Sequence, residues 1–185
     1  MRGRRGRHPI DALDSPDSTR AGMPPCARAV LPSMFIAHLP AGWLLARRLG
    51  DRRARIAFMV GAVAPDLDLA WWYLVDDGAV HHHRYFTHLP LVWLLAAVVA
   101  SLVPRAGTRG SALALCGGVL LHIALDSVAG DVAWLWPFDH RLFSMVTVPA
   151  TDAHWVVSFA THWTFGIEVA LVLLAAATWM RSHRS

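Results

Sequence analysis

Five apolar stretches, at about residues 34–46, 56–75, 86–103, 111–128 and 155–180, alternate with stretches that hold most of the arginines. Four of the five approach or exceed the ~20 residues that a helix needs to cross a bilayer. The first, MFIAHLPAGWLLA, is short and contains Pro40, so it reads as a re-entrant or interfacial helix. Residues 129–154 hold Gly130, Trp134, Trp136, Pro137, Phe138 and Pro149, a mixture that suits an interfacial loop better than a helix. The pattern predicts an all-α fold, a polytopic membrane helix bundle of about four transmembrane helices plus the short N-terminal helix, in one domain over 34–181.

Residues 1–33 show neither a helical nor a strand period and lack a continuous apolar run, so they read as a disordered basic leader. Met34 opens the first apolar segment, and translation is expected to start there or at Met23, which the intact mass of the native chain would check.

Composition sharpens the membrane reading. Hydrophobic residues make up 55% of the chain and charged residues 16%, with a mean hydropathy of +0.40, well outside the range of soluble domains. The formal charge of +4 resides mainly in the leader, which has six Arg and three Asp; the remainder carries eleven Arg against ten acids. A basic nucleic-acid-binding surface is therefore not expected. Cys26 and Cys116 are the only cysteines, which gives no support to a disulfide framework or a Cys-based zinc site.

Arginine placement predicts an orientation. Arg47, Arg48, Arg52, Arg53 and Arg55 precede the second segment, Arg105 and Arg109 separate the third from the fourth, and Arg181 and Arg184 follow the fifth. With four crossings, all nine share one face, cytoplasmic by the positive-inside rule. Asp76, Asp77, Asp131, Asp139 and Asp152 lie in the opposite loops, with only Arg84 and Arg141.

Against this apolar background, His and Asp recur at particular places. His122 and Asp126 stand four apart in GGVLLHIALDSVAG, one helical turn apart on one face, where they could bind a common ion or simply satisfy each other. Asp66 and Asp68 follow Pro65; a helix interrupted there would let both carboxylates turn toward a cavity. In HHHRYFTH, His81 and His82 read as solvated loop residues. Thr87 is expected to cap the third helix, holding His88 in its first turn and leaving His83 on the loop, able to fold back. Arg84 would offer a planar donor fork to an anionic group of a substrate, or else anchor a lipid headgroup. At about 1.5 Å per residue, Asp66, Asp68, His122 and Asp126 lie some 15–22 Å from the cytoplasmic ends of their helices. They would share the middle-to-outer layer of the membrane with His83 and His88. His38 alone decides nothing, and Asp152, His154, His162 and Glu168 have no spacing that supports a ligand role. The tryptophans, Trp71, Trp72, Trp134, Trp136 and Trp155 among them, suit an interfacial belt.

The order of FIAHLPAGWLLA, PDLD, HRYFTH, HIALD and Trp136-Pro137 resembles the bacterial inner-membrane YdjM-like family of membrane-bound metal-dependent hydrolases, over residues 34 to about 138. The resemblance implies metal ligation by His38, Asp66, Asp68, His83, His88, His122 and Asp126. Leu69 after PDLD and Leu89-Pro90 after HRYFTH depart from the pattern beside the ligands. So many ligands exceed the set of one catalytic zinc, so one or two ions are expected, zinc first, with manganese or iron as alternatives. Hydrolysis would use a carboxylate as base, Asp68 or else Asp66, with Arg84 orienting a phospholipid or lipid-linked phosphoester. The rival readings are a divalent-cation carrier or sensor, and a noncatalytic membrane protein whose metal staples its helices.

Overall fold

Pro65 divides the second apolar segment. It has no N–H to donate and its ring obstructs the preceding turn, so helix α2 (Arg52–Gly61) gives way to a 3-10 turn (Ala64–Leu67) before α3 (Asp68–Leu74) resumes. The computed structural model describes residues 36–76, 81–149, 151 and 155–184. The expectations for residues 1–33 and for Asp77, Asp152, His154 and the Trp155 side chain fall outside what is described.

The chain enters through α1 (His38–Ala46), where Pro40 is accommodated because it occupies the first turn, whose N–H groups have no intrahelical acceptor. Asp51 caps α2 by accepting from the Ala54 N–H at 2.9 Å. Two further 3-10 turns, His82–Arg84 and Phe86–His88, lead into α4 (Pro90–Ser101), with Pro90 in the first turn. Thr87 does not cap this helix: Leu89 holds the cap position, and the Thr87 hydroxyl donates to Asp68 instead. After α5 (Ala106–Ala129), residues 131–149 fold back irregularly along its C-terminal end, with a bridge between Val132 and Phe143 and a cis Trp136–Pro137 bond. α6 (Trp155–Ala160) and α7 (Trp163–Ser182) complete the order, the latter capped by His162.

Among the described residues the fold is all-α, but the expectation of four continuous spans is corrected. Two helices, α5 and α7, are long and apolar enough to cross a membrane. The second segment is broken at Pro65. The third starts only at Pro90, and its 12 residues give about 18 Å, short of the ~30 Å hydrocarbon layer. The fifth is interrupted at Thr161 and His162. Leu94, Leu95, Val98 and Val99 on α4, and Leu173 and Leu174 on α7, are exposed, a greasy exterior suited to lipid. The belt expectation fails at Trp72, which is buried, whereas Trp163 and Trp179 are exposed at opposite ends of α7.

Close helix packing positions the site. Phe58 of α2 lies against Gly117 and Gly118 of α5, and the Ala62 carbonyl just beyond α2 accepts from His122, so the two helices run in the same direction. α1 turns back along α2, with Gly42 against Ala62. This brings the start of α1, the end of α2 and the C-terminal half of α5 to one end of the bundle. Arg47, Arg52, Arg55, Arg105 and Arg109 lie at the other ends of the same helices.

Candidate metal centre

Asp126 stands at the centre of the cluster, one turn beyond His122 on the face of α5 that α2 and the 3-10 turns cover. Four imidazoles direct Nε2 toward its carboxylate: His122 at 3.1 Å, His38 at 3.2 Å, His83 at 3.6 Å and His88 at 3.7 Å. His38 is stacked on His122, with ring centroids 4.0 Å apart. His83, His88, His122 and Asp126 are fully buried, and His38 nearly so.

The far nitrogens of three rings are committed elsewhere. His122 Nδ1 is 2.9 Å from the Ala62 carbonyl oxygen, His83 Nδ1 is 2.9 Å from that of Asp131, and His88 Nδ1 is 2.9 Å from Asp68 Oδ2. A carbonyl or carboxylate oxygen only accepts, so each Nδ1 carries the proton, and in the neutral imidazole Nε2 is then a bare lone pair. Burial pushes the His83 imidazole down to about 3, against the opposing pull of Asp126, which keeps that ring neutral. The Nε2 atoms of His122 and His88 face each other at 3.3 Å. His38 Nε2, His83 Nε2 and both Asp126 oxygens are buried without a hydrogen bond among the described residues.

A buried carboxylate faced by three such nitrogens is unfavourable unless a cation, a metal ion or an added proton, sits among them. Two ligands, each about 2.0–2.1 Å from a shared tetrahedral ion, lie about 3.3 Å apart, and the spans here run from 3.1 Å to 3.7 Å. The donor set therefore fits a divalent metal. Three groupings, His38–His122–Asp126, Asp66–His88–His122 and His82–His83–His88, each hold their ligand atoms within 4.8 Å of one another. They share His88 and His122, so the arrangement has room for one ion or for neighbouring ions.

The structure thus brings together His38, Asp66, His83, His88, His122 and Asp126. Asp66 Oδ1 is 3.5 Å from His122 Nε2, and with its side chain 30% exposed it is the cluster's most open member. Asp68 is placed differently from the expectation of a ligand: it lies behind His88, bonded to the Nδ1 side, and accepts from Thr87 as well. A carboxylate there fixes the ring and makes it more basic. Arg84 is exposed, and among the described residues its side chain has no hydrogen bond or ion pair.

His82 was expected in solvent with His81, yet it is buried, its ring centroid 4.0 Å from that of His83. Burial, reinforced by the neighbouring imidazoles, pushes it down to about 2. Three adjacent histidines ahead of an apolar helix were the available signal, but only the 3-10 turn reveals which of them point inward. Glu168 is also fully buried on α7, and its Oε2 accepts from the Ile36 N–H at 2.8 Å, holding the chain two residues ahead of His38.

A family model described as YdjM inner membrane protein matches residues 30–184. No curated protein and no solved structure matches the chain.

Proposed function

Since the chain belongs to the YdjM inner membrane protein family, we propose that it is a membrane-bound metal-dependent hydrolase acting on a phosphoester carried by a lipid. The observation that carries this reading is the buried Asp126 carboxylate, faced by four Nε2 atoms, three of them on rings whose other nitrogen is already committed. His38, His83, His88, His122 and Asp126 would hold the metal, with Asp66 at its open side and His82 available to a second ion. Zinc suits this mixture of imidazole and carboxylate best, with manganese or iron next. When bound, a divalent ion supplies Lewis acidity and lowers the pKa of water.

The protein's own groups divide the remaining work. Asp66 is the acceptor for a proton released at the site, because it is at once within the cluster and open to solvent. Asp68 keeps His88 oriented. Arg84, exposed on the turn between His83 and His88, would pair with the phosphate of an arriving substrate. With the arginine-rich helix ends on the cytoplasmic side, the site opens toward the outer half of the membrane.

Metal analysis of the purified protein, alongside turnover of a chromogenic phosphodiester and of phospholipid vesicles, tests the reading. Wild-type protein is expected to carry one or two equivalents of metal and to turn over a phosphoester. Asp68→Asn should weaken metal affinity by ~10–100-fold, the usual cost of losing a carboxylate behind a ligating His. Asp66→Asn should keep more of its metal than Asp68→Asn while losing ~10²–10⁴ in turnover, the range for a general base. The near-complete burial of the ligands favours a second reading, a structural metal that staples the helices. Metal-loaded wild-type protein inactive on every phosphoester would select it.

A further inference from the structure

The opposite end of the bundle holds a cavity of about 270 Å³ between α1 and α2, lined by Trp43, Arg47, Arg52, Arg55, Ile56 and Met59. It lies toward the far end of α1 from the His/Asp cluster and is independent of the hydrolase reading. Arg47, Arg52 and Arg55, all exposed, stand along its rim, and among the described residues none has a carboxylate partner; the one Arg–carboxylate ion pair among them is that of Arg141 with Asp139. Asp51, the acid in the connecting turn, uses Oδ2 to cap α2 at Ala54.

Two features make this more than a scatter of surface charge. Arg52 and Arg55 occupy the first turn of α2, where the helix dipole disfavours cations, and the capping Asp51 is the one acid beside them, a single charge against three arginines. The Arg47 guanidinium carbon lies 5.6 Å from the centroid of the Trp43 ring, an arrangement that limits where its charge points. The rest of the lining is apolar. A small hydrophilic anion would satisfy the arginines and leave Ile56, Met59 and Trp43 unused.

We propose that this cavity is a binding site for the phosphate headgroup of an anionic phospholipid, with Arg47, Arg52 and Arg55 on the phosphate and Trp43, Ile56 and Met59 against the glycerol and upper acyl region. The chain belongs to a membrane family, and basic pockets between membrane helices capture such lipids. The ligand would tie α1 to α2 at the end away from the cluster.

Native mass spectrometry of the full-length protein in detergent, titrated with phosphatidylglycerol or phosphatidylcholine, tests the site. The triple variant R47Q/R52Q/R55Q is compared with R48Q/R105Q/R109Q, which removes the same charge from the same end of the bundle but outside the cavity. The expected result is at least ~10-fold greater loss of phosphatidylglycerol affinity in the cavity variant, with phosphatidylcholine binding unchanged in both. If general attraction to anionic lipid is all that the arginines supply, both variants lose phosphatidylglycerol affinity equally, which overturns the proposal. So would displacement of phosphatidylglycerol by millimolar inorganic phosphate, which would make the ligand a soluble anion. If the cavity triple does not purify as a folded species, Trp43→Leu replaces it: several-fold weaker phosphatidylglycerol binding supports the site, and wild-type binding overturns it.

Discussion

Asp126→Asn is expected to purify with almost no bound metal and with no hydrolytic turnover. The wild-type carboxylate faces His38, His83, His88 and His122 within 3.7 Å and is fully buried. An amide removes the one negative charge at the middle of the cluster and turns an NH₂ group toward Nε2 lone pairs. More than the ~10–100-fold loss that follows from disturbing a supporting carboxylate is expected, because the residue removed is itself proposed to hold the metal. Breaking a buried charge constellation by deleting one partner typically costs about 3–5 kcal/mol as well, so the variant should also melt earlier. A chelator separates metal loss from simple misfolding. EDTA should lower the melting temperature of the wild-type protein and leave that of Asp126→Asn unmoved. Wild-type metal content in the variant, or a wild-type melting temperature indifferent to EDTA, would mean that protons alone hold the cluster together.

Much of this centre could be read from the amino-acid order. The four-residue spacing of His122 and Asp126 survives directly as one face of α5, because a long uninterrupted helix converts spacing into geometry. Pro65 correctly marks a break that turns Asp66 into the cluster. The roles within PDLD could not be read, since Asp66 and Asp68 differ only in which neighbour each reaches: His122 for one, His88 Nδ1 and Thr87 for the other. The carbonyls of Ala62 and Asp131, which set the tautomers of His122 and His83, are backbone atoms and leave no trace in residue type. The count of membrane spans failed for a related reason. An apolar window measures transfer to lipid but not continuity of hydrogen bonding, and Pro65, Pro90 and the His162 cap each break continuity without lowering hydropathy enough to be noticed.

Gly118→Ala is expected to disrupt fold and site together, although residue 118 is not a ligand. A Cβ added at Gly118 would lie 2.9 Å from the Ala62 nitrogen and closer still to the Phe58 carbonyl oxygen, and one at Gly61 would lie 3.0 Å from the Val119 nitrogen and closer to the Leu115 carbonyl oxygen. These neighbours are main-chain atoms, so no rotamer change can make room, and α2 must move away from α5. Overpacking a tight contact typically costs about 1–3 kcal/mol, and close approach through small residues is a main source of cohesion between membrane helices. The displacement has a second effect. Ala62 carries the carbonyl that accepts from His122 Nδ1, and His122 is on the same helix as Gly118, one turn further on. Separating the two helices stretches that 2.9 Å hydrogen bond, frees the imidazole to turn, and moves Asp66 away from His122. Gly118→Ala should therefore show reduced metal affinity as well as a lower melting temperature. Gly107→Ala, where an added Cβ meets nothing within 4 Å on the same helix, should change neither. A Gly118→Ala protein with wild-type metal affinity would mean that the cluster is held by its loops and not by the spacing of α2 and α5.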